Sequence, residues 1–149
     1  MRSLLSLLAV VAVAYLALVL LVYWGQSRLM YFPQQLLSDT PADIGLQYST
    51  VHIATRDGET LHGWWVPVPQ AKGTVLFFHG NAGNLGSRAF RARAYAEAGF
   101  GLMMLSYRGY GGSTGSPSEA GTYRDAEAAW DYLRNARGVR AQDLVVAGE

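Results

Sequence analysis

Two short segments of the sequence carry residue types that could take part in catalysis. The first is HGNAGN at residues 79–84, where glycines let the backbone approach a ligand and the amide of Asn81 could donate to a developing oxyanion. The second is AGE at residues 147–149. Gly148 and Glu149 match the first two positions of a Gly-x-Ser-x-Gly nucleophile elbow, in which a strand ends in a sharp turn that exposes a serine hydroxyl.

The other residues able to do acid–base or nucleophilic chemistry have more ordinary interpretations. His52 and His62 fall in a predicted hairpin, where exposed or half-buried strand positions are expected, and His79 is expected to hold its loop by hydrogen bonding. The serines that precede the elbow are expected to cap helices and form turns. Asp125 and Asp131 lie on a predicted helix, where solvated or capping roles are expected.

A third segment, GYGGSTG, has the composition of a nucleotide-binding loop but not its spacing. Its glycines stand at positions 109, 111, 112 and 115, which match neither Gly-x-Gly-x-x-Gly nor the phosphate loop with its Lys-Ser/Thr ending. This segment is therefore predicted to be a turn that clears space beside the site.

The order of the predicted elements is that of an α/β fold. Residues 48–55 and 60–68 are predicted strands of a hairpin that bends at RDGE. Residues 73–80, 100–107 and 144–148 are apolar runs, as expected for strands covered on both faces of a parallel sheet. With helices between these strands, the connections are expected to be right-handed crossovers.

Two crossover helices are predicted. The first begins at about Ser87 and ends at Gly99, and the side chains expected on its buried face are those of Phe90, Ala94 and Ala98. SPSE at residues 116–119 fits a capping box, and Gly121 is expected to interrupt the turn before the main helix, which runs from Thr122 to about Ala136.

The N-terminal region is predicted to be a membrane anchor at residues 3–24. Leu4 to Trp24 contains 21 residues without a charge, and a helix of that length spans about 31 Å, close to the thickness of a bilayer core. A cleaved signal peptide is the alternative, but its apolar region is usually shorter and ends at a small-x-small site. The few flanking arginines favour a cytoplasmic N-terminus, which would place the remaining chain on the extracytoplasmic side.

Composition excludes several classes of site. The chain has no cysteine, so disulfides and thiolate metal sites are excluded, and its net charge of +1 argues against a nucleic-acid surface. The one cluster of basic residues is expected to be the solvated face of a helix, and it comprises Arg88, Arg91 and Arg93. No cofactor or metal is expected.

Taken together, several segments resemble the membrane-anchored α/β-hydrolases of the serine aminopeptidase-like and bud-emergence-related group. They are YFP after the anchor, LHGWWVP, VLFFHGNAGNLGSR, LMMLSYRGYGGSTGSPSEAG and VVAGE. The resemblance implies an α/β-hydrolase domain at residues 47–149, after a linker at residues 25–46. It also implies that the backbone amide of Asn81 forms half of an oxyanion hole, with the nucleophilic serine after Glu149 and the Asp and His of the triad later still.

Two functions are left open by the sequence. In one, the chain is the N-terminal portion of a membrane-anchored serine hydrolase, and by itself is expected to be inactive, poorly soluble or degraded, with residues 144–148 as an open edge strand. In the other, the chain ends at Glu149 as a non-catalytic membrane-tethered module or pseudoenzyme. The expected partners are the lipid membrane and a small-molecule or acylated substrate, and the bond type is not indicated.

Overall fold

The computed structural model describes residues 2–149 and divides into two compact units, one ending at Tyr31 and the other spanning Phe32–Glu149. The first unit is helix α1, Arg2–Met30. Its segment Ser3–Met30 has a mean hydropathy of 2.9 in its most apolar window and is long and apolar enough to cross a membrane. These properties fit a membrane anchor or a signal sequence. The predicted division into anchor, linker and domain stays a prediction.

The second unit contains seven strands and two α-helices. In chain order they are β1 (Phe32–Pro33), β2 (Ser49–Ala54), β3 (Thr60–Val66), β4 (Thr74–Phe78), β5 (Ala82–Gly83), α2 (Ala89–Glu97), β6 (Gly101–Leu105), α3 (Glu119–Asp131) and β7 (Leu144–Gly148). The main sheet has the order β2-β3-β6-β4-β7, and β1 pairs with β5 separately. The predicted α/β fold, with a hairpin followed by parallel strands, is confirmed.

The central strands are buried on both faces because a helix covers each side of the sheet. Along β4, Val75 and Phe77 pack in one core cluster with Ala89 and Ala92 of α2, whereas Leu76 packs in the other. That second cluster contains Ala129 of α3. Alternation along the strand thus divides its apolar side chains between two helices, which explains the continuous apolar run in the sequence.

The buried face of α2 differs from the prediction. Ala89 and Ala92 are buried, whereas Phe90 is 62% exposed and the other two predicted residues, Ala94 and Ala98, are exposed. A 3₁₀ turn at Gly86–Arg88 precedes the helix and sets its rotation about the axis. The helix therefore meets the sheet through Ala89 and Ala92, with Tyr95 packed beside them against Phe77.

Helix α3 begins earlier than predicted. Its N-cap is Ser118, whose hydroxyl accepts a hydrogen bond from the Gly121 N–H at 3.1 Å. Gly121 lies inside the first turn and does not interrupt it. A π-helical turn, Tyr132–Ala136, continues the helix to the predicted end. The buried stripe recurs every four residues, at Gly121, Asp125, Ala129 and Leu133.

Candidate active site

The two segments with catalytic residue types lie at the same edge of the sheet. Phe78, the last residue of β4, pairs with Leu105 of β6 on one side and Gly148 of β7 on the other. Loops that follow parallel strands therefore emerge side by side, at the edge where open α/β sheets bind ligands. The loop at residues 79–84 is called the oxyanion loop after the role predicted for Asn81. It begins next to Glu149, whose Oε2 lies 3.4 Å from the Gly80 nitrogen.

His79 holds the first part of the oxyanion loop, as predicted. Its Nδ1 lies 2.7 Å from the Gly80 carbonyl oxygen, and its Nε2 accepts the Tyr107 N–H at 3.3 Å. These partners require a neutral ring with the proton on Nδ1. Because the peptide is trans, fixing the Gly80 carbonyl also fixes the direction of the Asn81 N–H on the opposite side of the same plane.

Burial, with a smaller contribution from the charge of Arg88, lowers the pKa of His79 to about 4, although the hydrogen bond to Gly80 and the charge of Glu149 act to raise it. The imidazole is therefore neutral near pH 7. Since its ring nitrogens are engaged by the backbone of Gly80 and of Tyr107, His79 acts as a structural residue and not as an acid or base.

The carbonyl of Asn81 is held from two other parts of the domain. It accepts a hydrogen bond from the Phe32 N–H at 3.0 Å and another from the Tyr110 hydroxyl at 2.8 Å. Strand β1 runs parallel to β5 here, with Phe32 opposite Ala82 and Pro33 opposite Gly83. The YFP segment and the glycine-rich segment thus both support the oxyanion loop.

Arg88 connects the oxyanion loop to the predicted start of the elbow. Its Nη1 donates to the Ala82 carbonyl at 2.8 Å, and its Nε donates to Glu149 Oε2 at 2.9 Å. Arg91 pairs with the other carboxylate oxygen of Glu149 at 2.5 Å. The expectation of a solvated basic face was therefore wrong for Arg88, whose side chain is only 16% exposed. The third member, Arg93, is exposed and donates to the Ile44 carbonyl.

Glu149 is ionised in this setting. Partial burial raises its pKa, but the hydrogen bond and charge of Arg88, with the Gly80 N–H and the charge of Arg91, outweigh burial, so the pKa lies below its ordinary value. A negative charge therefore stands beside Gly80 at neutral pH.

An ion-pair network centred on the buried Arg108 supports the segment after β6. Arg108 bonds to Asp125 at 2.8 Å and to Asp57 at 2.8 Å, and Arg124 also reaches Asp57 at 3.0 Å. Asp125 is fully buried, so the expectation of a solvated or capping role was wrong for it. The hydrogen bond and charge of Arg108, aided by Thr55, hold the pKa of Asp57 well below its usual range.

The two histidines that were predicted to take no part in catalysis lie in the hairpin. His52 and His62 sit opposite each other in the β2–β3 hairpin, with ring centroids 5.7 Å apart. Burial, and then the charge of His52, lower the pKa of His62. Among residues 2–149, no group of three or more His, Asp or Glu side chains is arranged to hold a metal ion.

Three residues of this region were not identified as important from the sequence. Asp125 could have been found, because it lies four residues from both Gly121 and Ala129 on the buried stripe. Tyr110 carries no such signal, since its partner is a backbone carbonyl 29 positions away. Arg88 carries none either, since it bonds to the Ala82 carbonyl and to Glu149, which lies 61 positions away.

The domain has a mixed sheet in which β6, β4 and β7 run parallel, with helices on both faces. Together with a His-Gly loop after β4 and a strand that brings a glycine beside that loop, this sheet defines an α/β-hydrolase domain. Solved structures support this fold. An esterase from Pyrococcus furiosus, Pf2001, superimposes with a TM-score of 0.68 over 80% of this chain and 46% of its own, at 24% identity.

Curated relatives give the same classification at the sequence level. Protein bem46 from Schizosaccharomyces pombe is 38% identical over 95% of this chain and 50% of its own length. The α/β-hydrolase domain-containing protein WAV2 from Arabidopsis thaliana is 37% identical over 83% of this chain and 42% of its own length. No protein-family model matches the sequence. The chain belongs to the α/β-hydrolases related to bem46 and WAV2, and it spans about half the length of these relatives.

Proposed function

We propose that this chain supplies the N-terminal portion of a membrane-anchored serine hydrolase that cleaves an ester, thioester or amide by acyl transfer. The observation that carries the proposal is the position of Gly148. It lies opposite Phe78, and Glu149 reaches Gly80, so a nucleophile elbow starting at Gly148 would stand beside the oxyanion loop. The triad Ser, Asp and His would follow residue 149 in that order.

The proposed reaction follows from this arrangement. The serine after Glu149 attacks the acyl carbon while the triad histidine accepts its proton. The carbonyl oxygen becomes an oxyanion, which accepts hydrogen bonds from the Asn81 N–H and from the N–H of the residue after the serine. Losing one such donor costs roughly 10²- to 10³-fold in rate, so the geometry of the oxyanion loop bears directly on activity.

Residues 1–149 alone would hold half of the oxyanion hole without the triad. Removing the whole triad costs on the order of 10⁴- to 10⁶-fold in rate, and the remaining amide cannot replace it. This part of the protein is therefore expected to be inactive by itself.

Helix α1 is proposed as an uncleaved anchor with the catalytic domain on the extracytoplasmic side. Its length and apolar composition support the proposal, and a lipid or acylated substrate would suit an enzyme held at a membrane. The anchor is tested by alkaline carbonate extraction of membranes from expressing cells. Retention in the membrane pellet is expected, whereas release into the supernatant contradicts the anchor.

Labelling with a fluorophosphonate tests the enzymatic proposal. The protein should be expressed from its complete reading frame in membranes and treated with the probe. A single serine directly after Glu149 is expected to be modified, and its replacement by Ala should abolish labelling. A folded protein that is not labelled contradicts the proposal and favours the non-catalytic, membrane-tethered alternative.

A further inference from the structure

We propose that Tyr110 is a positioning residue of the oxyanion loop and that the backbone N–H of Phe32 shares this role. Both groups donate to the carbonyl of Asn81, at 2.8 and 3.0 Å respectively. The inference rests on the proposed function for its effect on catalysis, because it concerns the residue whose N–H is proposed to bind the oxyanion.

The peptide groups on both sides of Asn81 are fixed by these contacts. The preceding peptide contains the Gly80 carbonyl, which accepts from His79, and the Asn81 N–H. The following peptide contains the Asn81 carbonyl, which is held by Tyr110 and Phe32. With both planes held, neither backbone torsion of Asn81 can change freely, because each rotation would break one of these hydrogen bonds. The direction of the N–H is thereby set before a substrate arrives.

The oxyanion loop needs such external support. It contains Gly80 and Gly83, the latter at φ +79°, and Asn81 itself is exposed. Glycines leave a loop with more accessible backbone conformations than other residues do. The two hydrogen bonds to the carbonyl of Asn81 restrain its orientation from outside the loop.

Tyr110 is itself held rigidly, which is a requirement for a positioning residue. The residue is 1% exposed, and its ring centroid lies 4.8 Å from that of His79. Its backbone N–H donates to the Tyr107 carbonyl at 3.0 Å, and the next residue, Gly111, donates to the Gln34 carbonyl at 3.0 Å. The two residues that clamp either side of Asn81, His79 and Tyr110, therefore pack against each other.

Phe32 contributes through its backbone alone. Its side chain is exposed, whereas its N–H bonds to Asn81 in the parallel pairing of β1 with β5. A carbonyl oxygen has two lone pairs and can accept both donors. The segment that directly follows α1 in the sequence is thus part of the support of the proposed catalytic loop.

The substitution Tyr110→Phe in the complete membrane-anchored protein tests the inference, because it removes the hydroxyl and keeps the ring against His79. The kcat for a p-nitrophenyl acyl ester is expected to fall roughly 3- to 10-fold with KM unchanged, because losing the hydrogen bond to the Asn81 carbonyl leaves the Asn81 N–H less well oriented toward the oxyanion of the transition state. Affinity for a trifluoromethyl ketone inhibitor, which forms an oxyanion, should fall by the same factor. Tyr123→Phe is the matched control, since Tyr123 is exposed on α3, and it should leave all three values unchanged.

A second pair of variants separates the Phe32 backbone from its side chain. Phe32→Pro removes the N–H and should reproduce the loss in kcat, whereas Phe32→Ala keeps the N–H and should resemble the wild type. An unchanged kcat in Tyr110→Phe overturns the inference. So does a lower melting temperature without any change in kcat or inhibitor affinity, because a purely structural role would give that result.

Amide hydrogen exchange distinguishes failure of the inference from failure of the proposed function. Exchange at residues 80–83 is expected to be faster in Tyr110→Phe than in the wild type, whether or not the protein hydrolyses the ester. A wild type that neither hydrolyses nor reacts with a fluorophosphonate contradicts the proposed function, and faster exchange would still support the positioning role. Unchanged exchange in this segment overturns the positioning role even if the wild type is active.

Discussion

Arg108 and Asp125 form an ion pair inside the domain, with 6% and 0% of their side chains exposed. The Arg108 guanidinium contacts Asp125 Oδ1 at 2.8 Å, and its backbone N–H donates to Oδ2 at 2.8 Å. The pair ties the segment after β6 to helix α3. That segment also carries Tyr110, so the network supports the region on which the proposed oxyanion loop depends.

Arg108→Ala is expected to destabilise the protein by roughly 3–5 kcal/mol, because it leaves the buried carboxylate of Asp125 without its partner. Urea denaturation of wild type and variant measures the difference. Arg56→Ala is the control, since the Arg56–Asp131 pair is exposed and should be worth less than about 1 kcal/mol. Equal effects of the two substitutions would contradict the buried role of Arg108.

Gly121→Ala tests the close packing of Arg108 across the first turn of α3. A Cβ at this position would lie 2.5 Å from Arg108 Cδ and 2.8 Å from Nε. Overpacking of this kind costs about 1–3 kcal/mol, although Ala otherwise favours a helix over Gly by up to about 1 kcal/mol. The denaturation midpoint of Gly121→Ala should therefore be lower than that of the wild type. A higher midpoint would contradict the close packing, because it would show that the Arg108 side chain moves away without loss of stability.

His79 is expected to remain neutral down to about pH 5, since burial lowers its pKa to about 4. Nitrogen-15 NMR of the imidazole should show the Nδ1–H tautomer throughout this range, with the acid-unfolded protein as the reference. The pKa in the folded state lies below the ordinary value of 6.5, so the unfolded state binds the proton first as the pH falls. His79 should therefore lower the free energy of unfolding by about 3 kcal/mol as the pH is lowered from 6.5 to 4. Titration of His79 near pH 6.5 would contradict its burial.

The Arg88–Glu149 pair is expected to couple the oxyanion loop to the predicted elbow. The free energy of unfolding should be measured by urea denaturation for Arg88→Met, Glu149→Gln and the double variant of the complete protein. This double-mutant cycle should give a coupling free energy of about 1 kcal/mol, because the pair is partly buried. The lowered pKa of Glu149 means that this coupling is present above pH 4.5 and is lost as the pH falls below it. A coupling no larger than that of the exposed Arg140–Asp143 pair would contradict the link.

The order of the elements could be predicted because each central strand is an apolar run and each turn has characteristic residues. The run at residues 73–80 contains β4, and the hairpin bends at RDGE with Ala54 opposite Thr60. Strand β7 lies at the edge of the described sheet, with Val145 and Val146 exposed. These features depend on local periodicity, which the sequence displays directly.

The support of the oxyanion loop could not be predicted in this way. The bond from Tyr110 to Asn81 joins residues 29 positions apart and uses a backbone acceptor, which leaves no pattern of residue types. The pairing of β1 with β5 involves only two residues on each side. Likewise, the place of Asp125 on the buried stripe of α3 can be read from the sequence, but its partner Arg108, 17 positions away, cannot. Contacts of this kind are set by the tertiary arrangement and not by local propensity.

The most direct test of the proposed site is a crystal structure of the complete protein after reaction with a fluorophosphonate. The phosphorus is expected on the serine directly after Glu149, with a phosphonyl oxygen about 2.7–3.1 Å from the Asn81 nitrogen. The Tyr110 hydroxyl should remain bonded to the Asn81 carbonyl in the same structure. A phosphonyl oxygen that points away from Asn81, or a modified serine at another position, would contradict the assignment.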